Sequence, residues 1–191
     1  MRIFVDNYSG EGLYSIAFDR IDEYARNFKN WDNVEYVANY CIENEKFFCA
    51  RHFNEFSIDD IIEKILAESE ELQFLIRKYA DEGFKKFGDN LQLIFVPLHE
   101  KPKMSIPSFE ETKALIENKT QFPKPILRIY AVRINKNTFV VTGGAIKITK
   151  KMQDHVDTLE ELEKFETVKN FLKLNHLNCD DDLLNFLADE S

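Results

Sequence analysis

The chain reads as an α+β fold, and three stretches carry that reading. Residues 126–142 have the form of a β-hairpin: ILRIYAVRI (126–134), then Asn135-Lys136-Asn137, then TFVVT (138–142). Residues 57–82 place Ile58, Ile61, Ile62, Ile65, Leu66, Leu72, Leu75, Ile76 and Tyr79 at i, i+3, i+4, i+7 spacing, the mark of an amphipathic helix. Residues 1–20 hold two short apolar runs, from Arg2 to Val5 and from Leu13 to Phe18, around a polar turn with Gly10 and Gly12. A hairpin and a helix this apolar each need a covering surface. The hairpin, 126–134 with 138–148, is therefore expected in a sheet against the helix of 57–82.

Between these anchors the signals are weaker. Residues 21–56 read as irregular helix, with Asp32 and Glu35 spaced as a capping box. Phe28, Trp31, Tyr36, Tyr40, Phe47, Phe48, Phe53 and Phe56 cluster there. They could stack nucleic-acid bases, but Asp32, Glu35, Glu43, Glu45 and Glu55 among them would repel phosphates, so they are expected in the core. Ser57 is placed to cap the long helix, whose acidic side (Asp59, Asp60, Glu63, Glu68, Glu70, Glu71) is expected to face solvent. All five prolines fall between Pro97 and Pro125 in a window without glycine, which reads as a surface connection with a short helix capped by Ser108 and Glu111. Thr158 and Glu161 form a second capping box, opening a helix to about Leu174 with a buried stripe of Leu159, Leu162, Phe165, Val168 and Leu172. Asp180-Asp181-Asp182 starts a short final helix and lacks the alternating ligands and central glycine of a calcium loop.

Composition bounds the function. With 191 residues, 44% of them hydrophobic, and 17 Phe, the chain has enough apolar material for one folded domain. No apolar run approaches the roughly 20 residues of a membrane span. The opening MRIFVDNYSG has no long apolar stretch and is not read as a secretory signal. Cys41, Cys49 and Cys179 are scattered and odd in number, which fits reduced thiols in a cytoplasmic protein. Cys41, Cys49 and His52 match no zinc spacing and are expected to pack in the core. No metal or cofactor is expected.

Charge is distributed unevenly. Residues 124–154 carry Lys124, Arg128, Arg133, Lys136, Lys147, Lys150 and Lys151 against one acid, Asp154. Seven cations against one acid make +6 in a chain of net charge −9, so the rest carries −15. Such an island on strands is where a phosphate-bearing partner would dock, although edge lysines also discourage aggregation. The acidic remainder argues against general nucleic-acid binding.

The island also holds the candidate chemistry. Strand 126–134 is apolar on both faces, hence central, with Arg128, Tyr130 and Val132 on one face and Arg133 on the other. Gly143-Gly144 permits close backbone approach or a bend before Lys147 and Lys150, with Lys151 and His155 just beyond. Arg, Lys, Tyr and His in one concavity suit metal-free RNA cleavage, which needs a base at the 2′-OH, cations at the phosphorane and an acid at the leaving oxygen. No metal-ligand spacing, P-loop, GxSxG or GxGxxG appears.

At LRIYAVRI (127–134) and TGGAIKITKK (142–151) the chain resembles the C-terminal half of RelE/HigB-like toxins, over roughly residues 91–174, with LQLIFVPL (91–98) resembling the segment that leads into the family's sheet. The resemblance implies helices packed on a twisted, mainly antiparallel sheet, preceded here by an extension of strands and helices (1–90) and followed by a short C-terminal helix (175–191). It implies a metal-independent endoribonuclease acting on ribosome-bound mRNA, neutralised by a helix-turn-helix antitoxin protein. Under it, Arg128, Lys147, Lys150, Tyr130 and His155 would be catalytic, and Arg133, Lys136 and Lys151 would bind RNA. The chain departs from the family in its 90-residue N-terminal part, its acidity and its ending CDDDLLNFLADES. A second reading therefore stays open: a non-catalytic interaction protein that uses the toxin-like scaffold to bind a protein partner.

Overall fold

The computed structural model describes residues 2–5, 12–49, 53–82, 91–98, 109–117 and 124–189. Six strands, Arg2–Val5 (β1), Leu13–Ala17 (β2), Phe95–Pro97 (β3), Glu110–Ala114 (β4), Leu127–Arg133 (β5) and Phe139–Ile146 (β6), form one sheet in the order β1-β2-β6-β5-β4-β3. Every neighbouring pair is antiparallel except β2 and β6, which run parallel. The α+β expectation holds, and strands from both halves of the chain share the sheet.

Helices cover both faces. Glu23–Trp31 (α1), Val34–Glu43 (α2), Glu45–Cys49 (α3) and Ile58–Glu82 (α4) lie on one side, Val156–Leu174 (α5) and Asp180–Asp189 (α6) on the other. Strand alternation sorts the hairpin between them. Leu127, Ile129, Ala131, Phe139 and Val141 pack with Phe28, Trp31, Ile61, Ile65 and Ile76, while Tyr130, Val132 and Val140 pack with Phe165, Val168 and Leu172. The helix of 57–82 does sit against the hairpin.

The helix caps show where local sequence is decisive and where it is not. Ser57 Oγ accepts the Asp60 N–H at 3.1 Å and the Asp60 carboxylate accepts the Ser57 N–H at 2.8 Å, so α4 opens with a capping box. The box expected at Asp32 and Glu35 does not form. Asn33 caps α2 by accepting the Tyr36 N–H at 3.1 Å, and Asp32 instead ends α1 and accepts the Ser69 hydroxyl at 2.7 Å. Glu111 is not in a helix but in strand β4, which pairs fully with β5; Ser108 lies outside the described residues. The proline-rich window therefore contributes a sheet strand. At the C-terminus, the Asp182 carboxylate accepts the N–H groups of Asn178 and Cys179 at 2.8 and 3.0 Å, which makes the aspartate cluster the start of α6.

Glu68 is the main departure on α4. It was expected on a solvated face, yet it is 3% exposed. One carboxylate oxygen accepts the N–H groups of both Ile126 and Leu127, at 2.7 and 2.8 Å, and the other pairs with Lys64 at 2.6 Å. It thus satisfies the backbone at the start of β5, a place where an orphaned N–H would be costly. The aromatic cluster splits. Phe28, Trp31, Phe48 and Phe53 are core as expected, but Tyr36 is exposed and Tyr40 half-buried. Cys41 is buried, while the Cys49 side chain and His52 lie outside the described residues. No helix among the described residues is long and apolar enough to cross a membrane.

Candidate functional site

A bulge in the central hairpin creates the site. Ala131 pairs with Val141 but Tyr130 pairs with Gly143, so Thr142 is the extra residue. The register of β2 on β6 ends at the same point, at Ser15↔Val141. From Gly143 to Ile146 the outer edge of β6 carries no strand among the described residues, and helices α1 and α5 close in on it from the two faces.

Gly143-Gly144 allows that approach. A Cβ on Gly143 would lie 1.9 Å from Glu161 Oε2, and one on Gly144 would lie 2.8 Å from the Trp31 ring. Neither glycine is among those with positive φ, so close packing and not backbone freedom requires them. On α1, Glu23, Asn27 and Trp31 recur every four residues and face inward. On α5, Glu161 faces inward because the helix starts three residues earlier than the Thr158–Glu161 box implies. His155 is the N-cap, with Nδ1 accepting the Asp157 N–H at 3.3 Å. Thr158 is buried and donates to the Met152 carbonyl at 2.6 Å, and Glu161 is released from capping.

An ion network spans the edge. Lys164 Nζ lies 2.6 Å from Glu161 Oε1 and 3.0 Å from Glu23 Oε2, and Glu23 also pairs with Arg26. Glu161 is 3% exposed, and its Oε2 has no hydrogen-bond partner among the described residues. Burial pushes its carboxyl up to about 7, against the opposing pull of Lys164. A buried acid poised at neutrality in a cleft is a site signal that no motif announced.

The cleft around this network, about 190 Å³, opens beside a larger groove of about 540 Å³; Tyr36, Tyr40 and Asp157 line both. Tyr40 donates to Asp157 at 2.9 Å and reaches the Ile146 carbonyl at 3.3 Å. Burial, reinforced by Asp157, raises the Tyr40 phenol far above its usual value, so it remains a donor. His155 lines the larger groove. With Nδ1 accepting from the backbone, Nε2 is left to donate to Asn44 Oδ1 at 3.0 Å, and Phe47 sits edge-on to the ring at 5.0 Å. Across the joined groove, Glu43, Asp157, Glu160 and Glu161 outnumber Arg26 and Lys164.

The other candidate residues fall elsewhere. Arg128 and Lys147 share the α5 face of the sheet: Arg128 pairs with Ala145, and Lys147 donates its N–H to the Ile126 carbonyl at 2.8 Å, two residues along each strand. The Arg128 side chain donates to the Leu127 carbonyl at 2.6 Å and is half-buried; burial lowers its pKa, partly offset by Tyr130 and Glu68. Tyr130 is fully buried with its ring T-shaped on Phe165 at 5.8 Å, and burial pushes its phenol far up. Arg133 is buried and ion-paired with Glu110, its direct partner across β4–β5. Lys150 and Lys151 are exposed after β6, and the Lys151 N–H donates to Asp154 at 3.2 Å. Lys136 is exposed in the hairpin turn, at the far end of β6 from Lys147, a separation of roughly 25 Å for eight residues. The cationic island is therefore two groups at opposite ends of the hairpin. Among the described residues no cluster of His, Cys, Asp or Glu could hold a metal ion.

No protein-family model, curated protein or solved structure matches this chain.

Proposed function

We propose that this chain is an interaction protein, a toxin-like scaffold that binds a basic segment of a protein partner in the groove between α1, α2 and the start of α5. The observation that carries this reading is the groove itself, tyrosine-walled, with four carboxylates against two cations, beside an edge of β6 that no strand occupies among the described residues. Opposite charge steers such partners together and sets register, and tyrosines supply contact area at low entropic cost. A helix-turn-helix protein, basic through its own phosphate contacts, has the sign of charge the groove takes. A cytoplasmic setting goes with this reading. The test is titration of the full chain with an Arg/Lys-rich peptide and with single-stranded RNA. The peptide is expected to bind, more weakly as salt rises, and Asp157→Asn or Glu43→Gln is expected to weaken it. RNA binding that exceeds peptide binding and is indifferent to these changes would overturn the reading.

A second reading, metal-independent cleavage of ribosome-bound mRNA, is favoured by one observation: Arg128 and Lys147 lie on one sheet face near Lys150 and Lys151. Two cations there could grip a phosphate. Its test is induced expression. Growth arrest and mRNA cleavage that Arg128→Ala and Lys147→Ala both abolish would establish it. The absence of both effects in the unmodified protein would end it.

A further inference from the structure

The joint between α2 and α5 is a single imidazole with both nitrogens engaged. His155 caps α5 and reaches Asn44, the residue that ends α2. Its side chain is 6% exposed, whereas that of Asp157 beside it is 39% exposed. Nδ1 accepts the Asp157 N–H at 3.3 Å, which places the proton of the neutral ring on Nε2, donated to Asn44 Oδ1 at 3.0 Å. Asp157 Oδ2 lies 3.6 Å from the same Nδ1 and accepts the Tyr40 hydroxyl at 2.9 Å. That hydroxyl has one proton and a second acceptor in reach, the Ile146 carbonyl on the β6 edge at 3.3 Å. The titratable and charged groups around the ring come from each neighbouring element. They are Asp157 on α5, Tyr36, Tyr40 and Glu43 on α2, Lys46 over the Phe47 ring on α3, and Lys151 and Asp154 in the turn before the cap.

We infer that His155 is a proton switch for the groove: on taking up a proton at Nδ1 it pairs with Asp157 and withdraws that carboxylate from a basic partner. This inference rests on the binding reading above and adds its regulation. A protonated Nδ1 cannot accept, so two N–H donors would face each other where the Asp157 N–H now bonds. The positive end of α5 adds to that repulsion. Asp157 Oδ2 is the acceptor at hand, and the new N–H turns to it in a charge-assisted pair. Nε2 keeps its proton and its Asn44 partner, so the change is confined to the α5 side of the ring. Tyr40, displaced from Oδ2, turns its hydroxyl to the Ile146 carbonyl. The imidazolium exists only in acid, so a basic partner is held at neutral and alkaline pH and released on acidification.

The experiment is peptide titration of the full chain at about pH 8 and about pH 5.5, together with nitrogen NMR of the histidine rings. Acidification should weaken binding of an Arg/Lys-rich peptide about fivefold more in wild type than in His155→Asn, the weight of one partly exposed charge contact. Asparagine is a good N-cap without a titrating ring, so α5 keeps its start. Glu161 and the other carboxyls titrate in both proteins and cancel in the comparison. Without peptide, the neutral ring should carry its proton on Nε2, and its protonation should shift the Asp157 amide and the Tyr40 ring at the same midpoint. A neutral ring protonated at Nδ1, or a titration that leaves the Asp157 amide in place, overturns the switch whether or not a peptide binds. An identical pH dependence in wild type and His155→Asn overturns it while the groove reading stands. If no basic peptide binds at either pH, both fall.

Discussion

Replacing Glu161 by glutamine keeps the volume and shape at the Gly143 contact and removes its charge, the ion pair with Lys164 included, so the pH dependence of the difference reports its titration. In the folded chain burial raises this carboxyl from its ordinary 4.5 to about 7. The folded state therefore binds the proton more tightly than the unfolded state, and stability falls as pH rises between those two values. At about 1.4 kcal/mol per pKa unit, the loss is about 3 kcal/mol, complete above pH 7. That is a large share of a typical stability of roughly 5–15 kcal/mol. Urea unfolding of wild type and Glu161→Gln at half-unit steps from pH 4 to pH 8.5 gives the difference curve, in which the other carboxylates cancel. The curve should be flat below about pH 4.5, favour the glutamine variant progressively to pH 7, and then level off. Parallel stability profiles across that window would mean that Lys164 holds the carboxylate ionised, and the reasoning about a neutral buried acid would fail.

Further expectations concern the packing around the same strand. Gly143→Ala sets a methyl group 1.9 Å from Glu161 Oε2 and should cost about 1–3 kcal/mol by urea unfolding. In a Glu161→Ala background the same change should cost much less, because the obstructing atoms are gone. Glu68→Ala removes the acceptor for two β5 N–H groups and the charge beside Lys64, so it should cost about 3–5 kcal/mol, whereas Glu63→Ala on the exposed side of α4 should stay within about 0.5 kcal/mol.

The long-period signals in the sequence were reliable. The apolar spacing of 57–82, the alternation in 126–134 and the Asn135-Lys136-Asn137 turn each report a local rule, and each produced its element. Capping residues were less reliable, because several polar side chains compete for one helix start. Asn33 displaced Asp32, and His155 displaced Thr158, which turned Glu161 from a cap into a buried acid. The β4 strand was hidden because EETKA has no apolar run; it is held by pairing with β5 and by the Glu110–Arg133 ion pair, both nonlocal. The candidate site residues are spread apart in the fold for a related reason. Charge counted along the chain merges Lys136 with Lys147, although an antiparallel hairpin sends them to opposite ends. Gly143-Gly144 did mark a close approach, but only the fold identifies Trp31 and Glu161 as the approaching groups.

Hydrogen exchange on the full chain tests the binding account most directly, because it reports which backbone amides a ligand covers. An Arg-rich peptide should slow exchange at 143–146 and 155–161, the strand edge and the start of α5, and leave 147–151 unchanged. Single-stranded RNA should protect neither segment. Protection of 147–151 by RNA, with no effect of the peptide at the β6 edge, would contradict the account and move the functional surface to the cations around Arg128 and Lys147.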